Sequence, residues 1–127
     1  AINLFKLGHL LENLFYVEKS IKMLASVFSS KINYPSSFSN WLQLALNQLF
    51  PFYEVAITGN KTKQFNTILS QNYLPNIVKS GSEQESKLPL LKNRLNAEKT
   101  LIFVCENNTC QLPETDIFQV IDKLKID

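Results

Sequence analysis

The chain has 127 residues, the size of one ordinary domain, and its 45% apolar content with three glycines and five prolines is typical of a globular protein rather than a disordered or fibrous one. Thirteen basic and eleven acidic residues give a net charge of +2, too small and too dispersed for a nucleic-acid-binding protein. No apolar run approaches the roughly 18 residues of a membrane-spanning helix, so neither nucleic acid nor membrane is expected as a partner.

The start AINLFKLGHL has no initiator methionine and no signal-peptide pattern, which indicates a piece of a larger protein. The two cysteines suggest a reducing compartment, and we therefore expect a cytoplasmic location.

Residues 1–50 show the spacing of amphipathic helices. Between Leu4 and Phe28, apolar residues recur three and four positions apart, which places them on one side of a helix. Gly8 and Asn13 weaken the prediction of a single helix, and Asn13 is a suitable N-cap for a second helix that begins near the next residue. We therefore predict two helices here. After the break YPSSFSN, a third helix is predicted with an apolar face made by Phe38, Trp41, Leu42, Ala45, Leu46 and Leu49.

The pattern changes at PFYEV. YEVAIT is predicted as a strand covered on both faces, NKTKQFNTILSQNY as a helix with Asn60 as its N-cap, and PNIVKS as a short strand. SEQESKLPLLKNRL is polar and then apolar, with Pro89 near the start of any helix that it forms. TLIFVCEN is the clearest strand, and PETDIFQVIDKLKI is predicted as a final helix capped by Thr115 or Asp116.

This order predicts an α/β fold, in which N-terminal helices pack on a small, mostly parallel three-stranded sheet with flanking helices, in a Rossmann-like β-α-β arrangement. The change of pattern divides the chain into a helical segment, 1–50, and a small α/β subdomain, 51–127.

ITGNKTKQF is the first candidate site, because a strand that ends in glycine before a helix N-terminus suits a phosphate group. A dinucleotide fingerprint needs three glycines and an acidic residue about twenty positions later. Here Gly59 stands alone and VKSGS replaces the acid, although Lys79 would suit a 2′-phosphate. We favour the interpretation that Gly59 simply turns the chain. The candidate ligand-binding residues at the strand ends are Gly59, Asn60, Lys61, Ser80 and Glu106.

Cys105 and Cys110 are the second candidate, as a disulfide, a redox pair or half of a metal site. Their C-x4-C spacing differs from the C-x-x-C of thioredoxin-like chemistry, and zinc needs about four ligands while His9 is the only histidine. We favour two reduced cysteines. His9 lies on a helix of structural character, and Cys105 or Glu106 as a catalytic group would lack a nearby base, so no catalytic residue, metal or cofactor is predicted.

YEVAITGN, YLPNIV and LIFVCENNTCQLPETD together resemble the C-terminal end of the spermatogenesis-associated protein 20 family, whose bacterial members are YyaL-like, thioredoxin-domain-containing proteins. The N-terminal helices are similar to the last helices of that family's α/α-toroid domain. The resemblance implies a parent with a thioredoxin-like domain and a toroid like those of sugar epimerases and six-hairpin glycosidases. It provides no catalytic residue for this chain.

These observations lead to three functional hypotheses. The first is a non-catalytic C-terminal structural and interaction module that packs on upstream domains of the same parent and, when isolated, self-associates through residues such as Leu4, Leu11 and Phe15. The second is an accessory nucleotide or sugar-phosphate site at the strand ends. The third is a redox-active Cys105/Cys110 pair that works with the parent's thioredoxin domain.

Overall fold

A computed structural model of the chain describes residues 1–29 and 35–125. Its N-terminal part is helical, with α1 at Ile2–Leu10, α2 at Leu14–Phe28, and α3 at Ser39–Leu49 after a 3₁₀ turn at Pro35–Phe38. The predicted break between the first two helices is confirmed. Asn13 caps α2, and its side-chain oxygen accepts a hydrogen bond from the backbone N–H of Tyr16 at 3.4 Å.

The rest of the described chain is of mixed α/β type. Its elements are β1 (Tyr53–Thr58), α4 (Thr62–Ser70), β2 (Ile77–Ser82), a 3₁₀ turn (Pro89–Leu91), β3 (Leu101–Glu106), β4 (Thr109–Cys110) and α5 (Ile117–Leu124). Asp116 caps α5 by accepting from the N–H of Phe118 at 2.9 Å, as one of the two predicted caps. The cap predicted for α4 is wrong, because the N-cap position falls on Lys61 rather than Asn60.

The sheet has four strands in the order β2-β1-β3-β4. β1 and β2 are parallel, but β3 runs antiparallel to β1, so the predicted mostly parallel, three-stranded sheet is wrong. The reason lies in the connection from β2 to β3. Ser82 and Leu101 both pair with Thr58, so the chain returns to the end of the sheet that it left, and β3 must run the opposite way.

The fourth strand is formed by a hairpin. Asn107 and Asn108 have φ values of 50° and 63°, the left-handed conformation that two-residue hairpin turns require. Asparagine adopts this conformation more readily than most residues, so the predicted turn at this pair is confirmed.

Both faces of the sheet are buried, as the composition of β1 predicted. One face packs against α4 and α5 in a core that contains Val55, Ile57, Ile102, Val104, Phe65, Leu69, Ile117, Val120, Ile121 and Leu124. The opposite face is covered by the N-terminal helices and the Pro89–Leu91 turn, and its two clusters contain Phe5, Leu44, Phe52 and Val78, and Ala56, Leu90, Leu91 and Cys105.

Helix α3 packs differently from its predicted amphipathic pattern. Its buried residues are Leu44 and Asn47, whereas Leu42, Leu46 and Leu49 of the predicted apolar face are 40%, 48% and 77% exposed. The apolar stripe of this helix therefore points away from the core of the chain. In the described ranges, no helix has the length and hydropathy to cross a membrane.

Candidate functional site

The turn between β1 and α4 is shaped by contact with the segment before β3. Gly59 has a φ of 125°, and a Cβ atom at this position would lie 2.7 Å from the Cα of Thr100. The Thr100 hydroxyl accepts a hydrogen bond from the N–H of Lys61 at 3.0 Å and donates one to Asn60 Oδ1 at 2.9 Å. The Thr62 hydroxyl donates to the Gly59 carbonyl at 2.7 Å. Close backbone packing therefore accounts for the glycine, and one N–H at the start of α4 already has a protein partner.

A surface cleft of about 280 Å³ lies beside this turn, and side chains of both charge signs line it, Lys61 and Glu98 among them. Lys79, which the sequence offered for a 2′-phosphate, is engaged elsewhere. Its ammonium donates to the backbone carbonyl of Asn66 at 3.3 Å and to the Ser70 hydroxyl. Burial lowers the pKa of Lys79 from its usual 10.5. The lysine offered for a 2′-phosphate is therefore bound to α4, and the N–H of Lys61 is taken by Thr100.

The five candidate ligand-binding residues do not meet in one place. Gly59 and its two neighbours lie after the carboxyl end of β1, but Ser80 pairs with Ala56 in the middle of the sheet. Glu106 pairs with Tyr53, at the opposite end of β1. The antiparallel direction of β3 accounts for the position of Glu106, because the carboxyl end of that strand lies at the opposite end of the sheet from Gly59.

Cys105 and Cys110 are joined by a disulfide, so the reduced pair that we favoured is wrong. The two residues are directly opposite each other in the β3–β4 hairpin. Cys105 is 1% exposed and lies in the core, whereas Cys110 is exposed on the edge strand. Because disulfides persist mainly in oxidising compartments, the cysteines no longer support the expected cytoplasmic location.

Arg94 lies against this disulfide. Its Nη1 is 3.3 Å from the Sγ of Cys105, and its Nη2 is 3.2 Å from the Sγ of Cys110. The guanidinium carbon is 4.9 Å from the ring centre of Phe103, in a cation–π contact. The carbonyl of Arg94 accepts a hydrogen bond from the Thr58 hydroxyl at 2.8 Å, which fixes the loop to β1. The position of Arg94 at the cysteines was not predictable from the sequence, since the contact depends on how the 83–100 loop folds over the sheet.

The second polar constellation is a buried pair between α1 and β1. His9 Nδ1 is 2.6 Å from Glu54 Oε1, with side chains 10% and 1% exposed. The His9 ring packs edge-on to Phe5 at 4.4 Å and beside Phe52 at 4.9 Å, measured between ring centres. This pair joins the helical segment to the central strand.

A carboxyl group that orients an imidazole is also the arrangement of many general-base pairs. Here His9 Nε2 and Glu54 Oε2 are both buried and have no hydrogen-bond partner among the described residues. His9 lines a neighbouring cleft of about 470 Å³ with Asn47, Glu106 and Asn107, but its buried Nε2 is closed to a substrate in that cleft. The pair therefore acts in this structure as a connection between layers.

Of this pair, only His9 was considered from the sequence, and Glu54 was not predicted. A signal was present, because an acidic residue inside the apolar strand YEVAIT must find a partner when both faces of the strand are buried. His9 is the only histidine in the chain, and it was available for that role.

No group of three or more metal-ligating side chains occurs in residues 1–29 and 35–125. The chain was also compared with protein-family models, with curated proteins and with solved structures, and none of these comparisons gave a match.

Proposed function

We propose that this chain is a non-catalytic structural and interaction module of a larger multidomain protein, and that its helices pack on an upstream helical domain of the same protein. The exposed apolar face of α3 is the observation that carries the proposal. A helix that buries Asn47 and leaves Leu46 and Leu49 exposed has its apolar stripe available for another partner.

Helix α2 supports the same interpretation. Leu14, Ile21 and Phe28 are seven residues apart and lie on one stripe, and they are 68%, 38% and 43% exposed. Seven-residue spacing of apolar side chains is typical of a helix seam that receives a second helix. Ile21 and Leu49 line the same cleft of about 470 Å³, so the two stripes border one groove.

The partner in this proposal is an amphipathic helix that lies in the groove between α2 and α3. Of the residues first expected to mediate self-association, Leu11 and Phe15 are 36% and 62% exposed, while Leu4 is half-buried. The finer assignment belongs to the same proposal. Residues 1–50 are the end of an α/α toroid and residues 51–127 an α/β subdomain that keeps one parallel β-α-β unit, β1-α4-β2, in a parent of the family that the cysteine-containing segment resembles.

The first test is the association state of the isolated chain by size-exclusion chromatography with light scattering. Without its partner, the chain should self-associate through the exposed stripe. Leu49→Gln should weaken this association by about 10- to 100-fold, since the burial of one leucine side chain contributes about 1.5–3 kcal/mol. Leu112→Gln is the matched control. Leu112 is also strongly exposed, at 88%, but it follows the β3–β4 hairpin in the chain and does not line the groove. A strictly monomeric chain at high concentration contradicts the proposal.

The second test uses the intact parent protein. Cysteines introduced as Leu49→Cys and Leu112→Cys should react with a maleimide at similar rates in the isolated chain. In the parent, Leu49→Cys should become at least about tenfold slower while Leu112→Cys keeps its rate. Equal labelling of the two positions in the parent would show that no helix covers the groove.

A further inference from the structure

The contact between Arg94 and the disulfide has a consequence beyond packing. The guanidinium reaches both sulfur atoms, at 3.3 Å and 3.2 Å, and forms no ion pair with a carboxylate among the described residues. A disulfide is uncharged and is only a weak acceptor for such a cation. A thiolate in the same place would be its charged counterpart, and a neighbouring guanidinium favours thiolate over thiol. Arg94 therefore stabilises the reduced, ionised form more than the oxidised form.

We propose that Cys105 and Cys110 form a reversible dithiol–disulfide site whose substrate is a dithiol, and that Arg94 is the residue that stabilises the thiolates. This role is separate from the packing of the helices and does not depend on it.

The difference in exposure between the two cysteines determines which sulfur atom an incoming thiolate attacks. Cys110 is exposed on the two-residue edge strand, and an open cleft of about 490 Å³ beside it is lined by Glu106, Asn107 and Gln111. Cys105 is 1% exposed. An incoming thiolate can reach the sulfur of Cys110, and Cys105 is the leaving group held against Nη1 of Arg94.

The exchange proceeds in two displacements. The first thiolate of the partner bonds to the Cys110 sulfur, the Cys105–Cys110 bond breaks, and its electron pair stays on Cys105. The partner's second thiolate then bonds to the partner's own first sulfur and releases Cys110 as a thiolate beside Nη2 of Arg94. The partner loses two electrons and becomes a disulfide, and this chain gains two electrons and, at the pH where its thiols are neutral, two protons.

Two acidic residues lie next to Cys105 in the sheet. Glu54 of β1 is directly opposite Cys105, on the same face of the sheet, and its carboxyl group is bound by His9 of α1. Glu106 follows Cys105 in the strand and therefore points to the other face. Arg94 is thus the cation in contact with both sulfurs, while the carboxyl group opposite Cys105 is engaged by His9.

The test is the redox equilibrium of the whole chain with reduced and oxidised glutathione as the probe, followed by thiol trapping and mass spectrometry. The wild-type disulfide should be reduced within the range of the buffer, and circular dichroism should show that the reduced chain stays folded. Arg94→Gln should lower the equilibrium constant for reduction at neutral pH by about two- to fivefold, the range for a partly exposed charge pair. The reduced variant should also react more slowly with iodoacetamide, by a similar factor.

Two variants serve as controls. Lys92→Gln removes a positive charge from the same loop without touching either sulfur and should leave both measurements unchanged, and Arg94→Lys should retain part of the effect. The proposal is overturned if Arg94→Gln, confirmed as folded by circular dichroism, changes neither quantity, or if Lys92→Gln changes them equally. A disulfide that is reduced only when the chain unfolds would also overturn it, because the bond would then be a structural link.

Discussion

Replacing His9 with leucine leaves the Glu54 carboxyl group buried without its hydrogen-bond partner. Glu54 is 1% exposed, and its Oε1 is held by the imidazole at 2.6 Å while its Oε2 has no partner among the described residues. The loss of one member of a buried, hydrogen-bonded pair of this kind costs about 3 kcal/mol. His9→Leu should therefore lower the free energy of unfolding by about that amount, and Glu54→Met by a comparable amount.

The double variant should behave differently from either single variant. His9→Leu with Glu54→Met removes both polar groups at once, together with the two atoms that have no partner in this structure. Phe5 and Phe52 already surround the site, so apolar side chains of similar volume can pack there. A buried polar pair replaced by apolar residues is often neutral in stability. We expect the double variant to lie within about 1 kcal/mol of the wild type.

Urea unfolding followed by circular dichroism measures all four proteins of this cycle, with the slope of the transition as a check on two-state behaviour. Glu106→Met is the control for the loss of an acidic side chain in the same sheet, because Glu106 is exposed, and it should change stability by less than about 0.5 kcal/mol. A double variant whose destabilisation equals the sum of the single ones would show that the two residues do not act as a pair.

Three further predictions concern the stability of the folded chain. Gly59→Ala should destabilise the chain by about 1–3 kcal/mol in the same unfolding assay, because of its φ of 125° and the approach of Thr100, and unchanged stability would refute the close contact. Asn13→Ala should cost about 0.5–1 kcal/mol through the lost cap of α2, whereas a loss near zero would show that the 3.4 Å bond to Tyr16 does not cap it. Burial lowers the pKa of Lys79, so the unfolded state binds more protons than the folded state as the pH approaches 10.5, and stability should rise with pH there relative to Lys79→Gln. A constant difference between these two proteins over that range would contradict the shift.

The helices were predictable because their signals are local. The spacing of apolar residues located α1, α2, α3, α4 and α5, and side-chain caps at Asn13 and Asp116 fixed the starts of two of them. The turn at Asn107 and Asn108 was predictable for the same reason, since asparagine tolerates the left-handed conformation. Each of these features depends on a few neighbouring residues.

Strand direction was not predictable because it depends on where a long loop ends. The alternation of strands and helices suggested a crossover before β3, but residues 83–100 form only the short Pro89–Leu91 turn and bring Leu101 back beside Thr58. For the same reason, the ligand-binding residues predicted at the strand ends do not lie together, because Glu106 is at the opposite end of the sheet from Gly59. The spacing of apolar residues also predicted a buried face of α3 that contains Leu42, Leu46 and Leu49, yet these residues are exposed. An apolar stripe indicates that a helix face packs against something, but it does not identify the partner.

The reversed direction of β3 is also what brings the polar groups of this fold together. Glu54, Cys105 and Cys110 lie on three neighbouring strands of the sheet, β1, β3 and β4, and are directly opposite one another. Their side chains therefore form one row on the face that α1 and the 83–100 loop cover. His9 binds one end of this row, and Arg94 binds the other. The helical layer, the central strand and the disulfide hairpin are thus linked through a single line of side chains, and the cleft between α2 and α3 opens beside that line, with His9 in its wall. A helix bound in that cleft and a dithiol that attacks Cys110 would therefore approach the same face of the sheet from neighbouring positions.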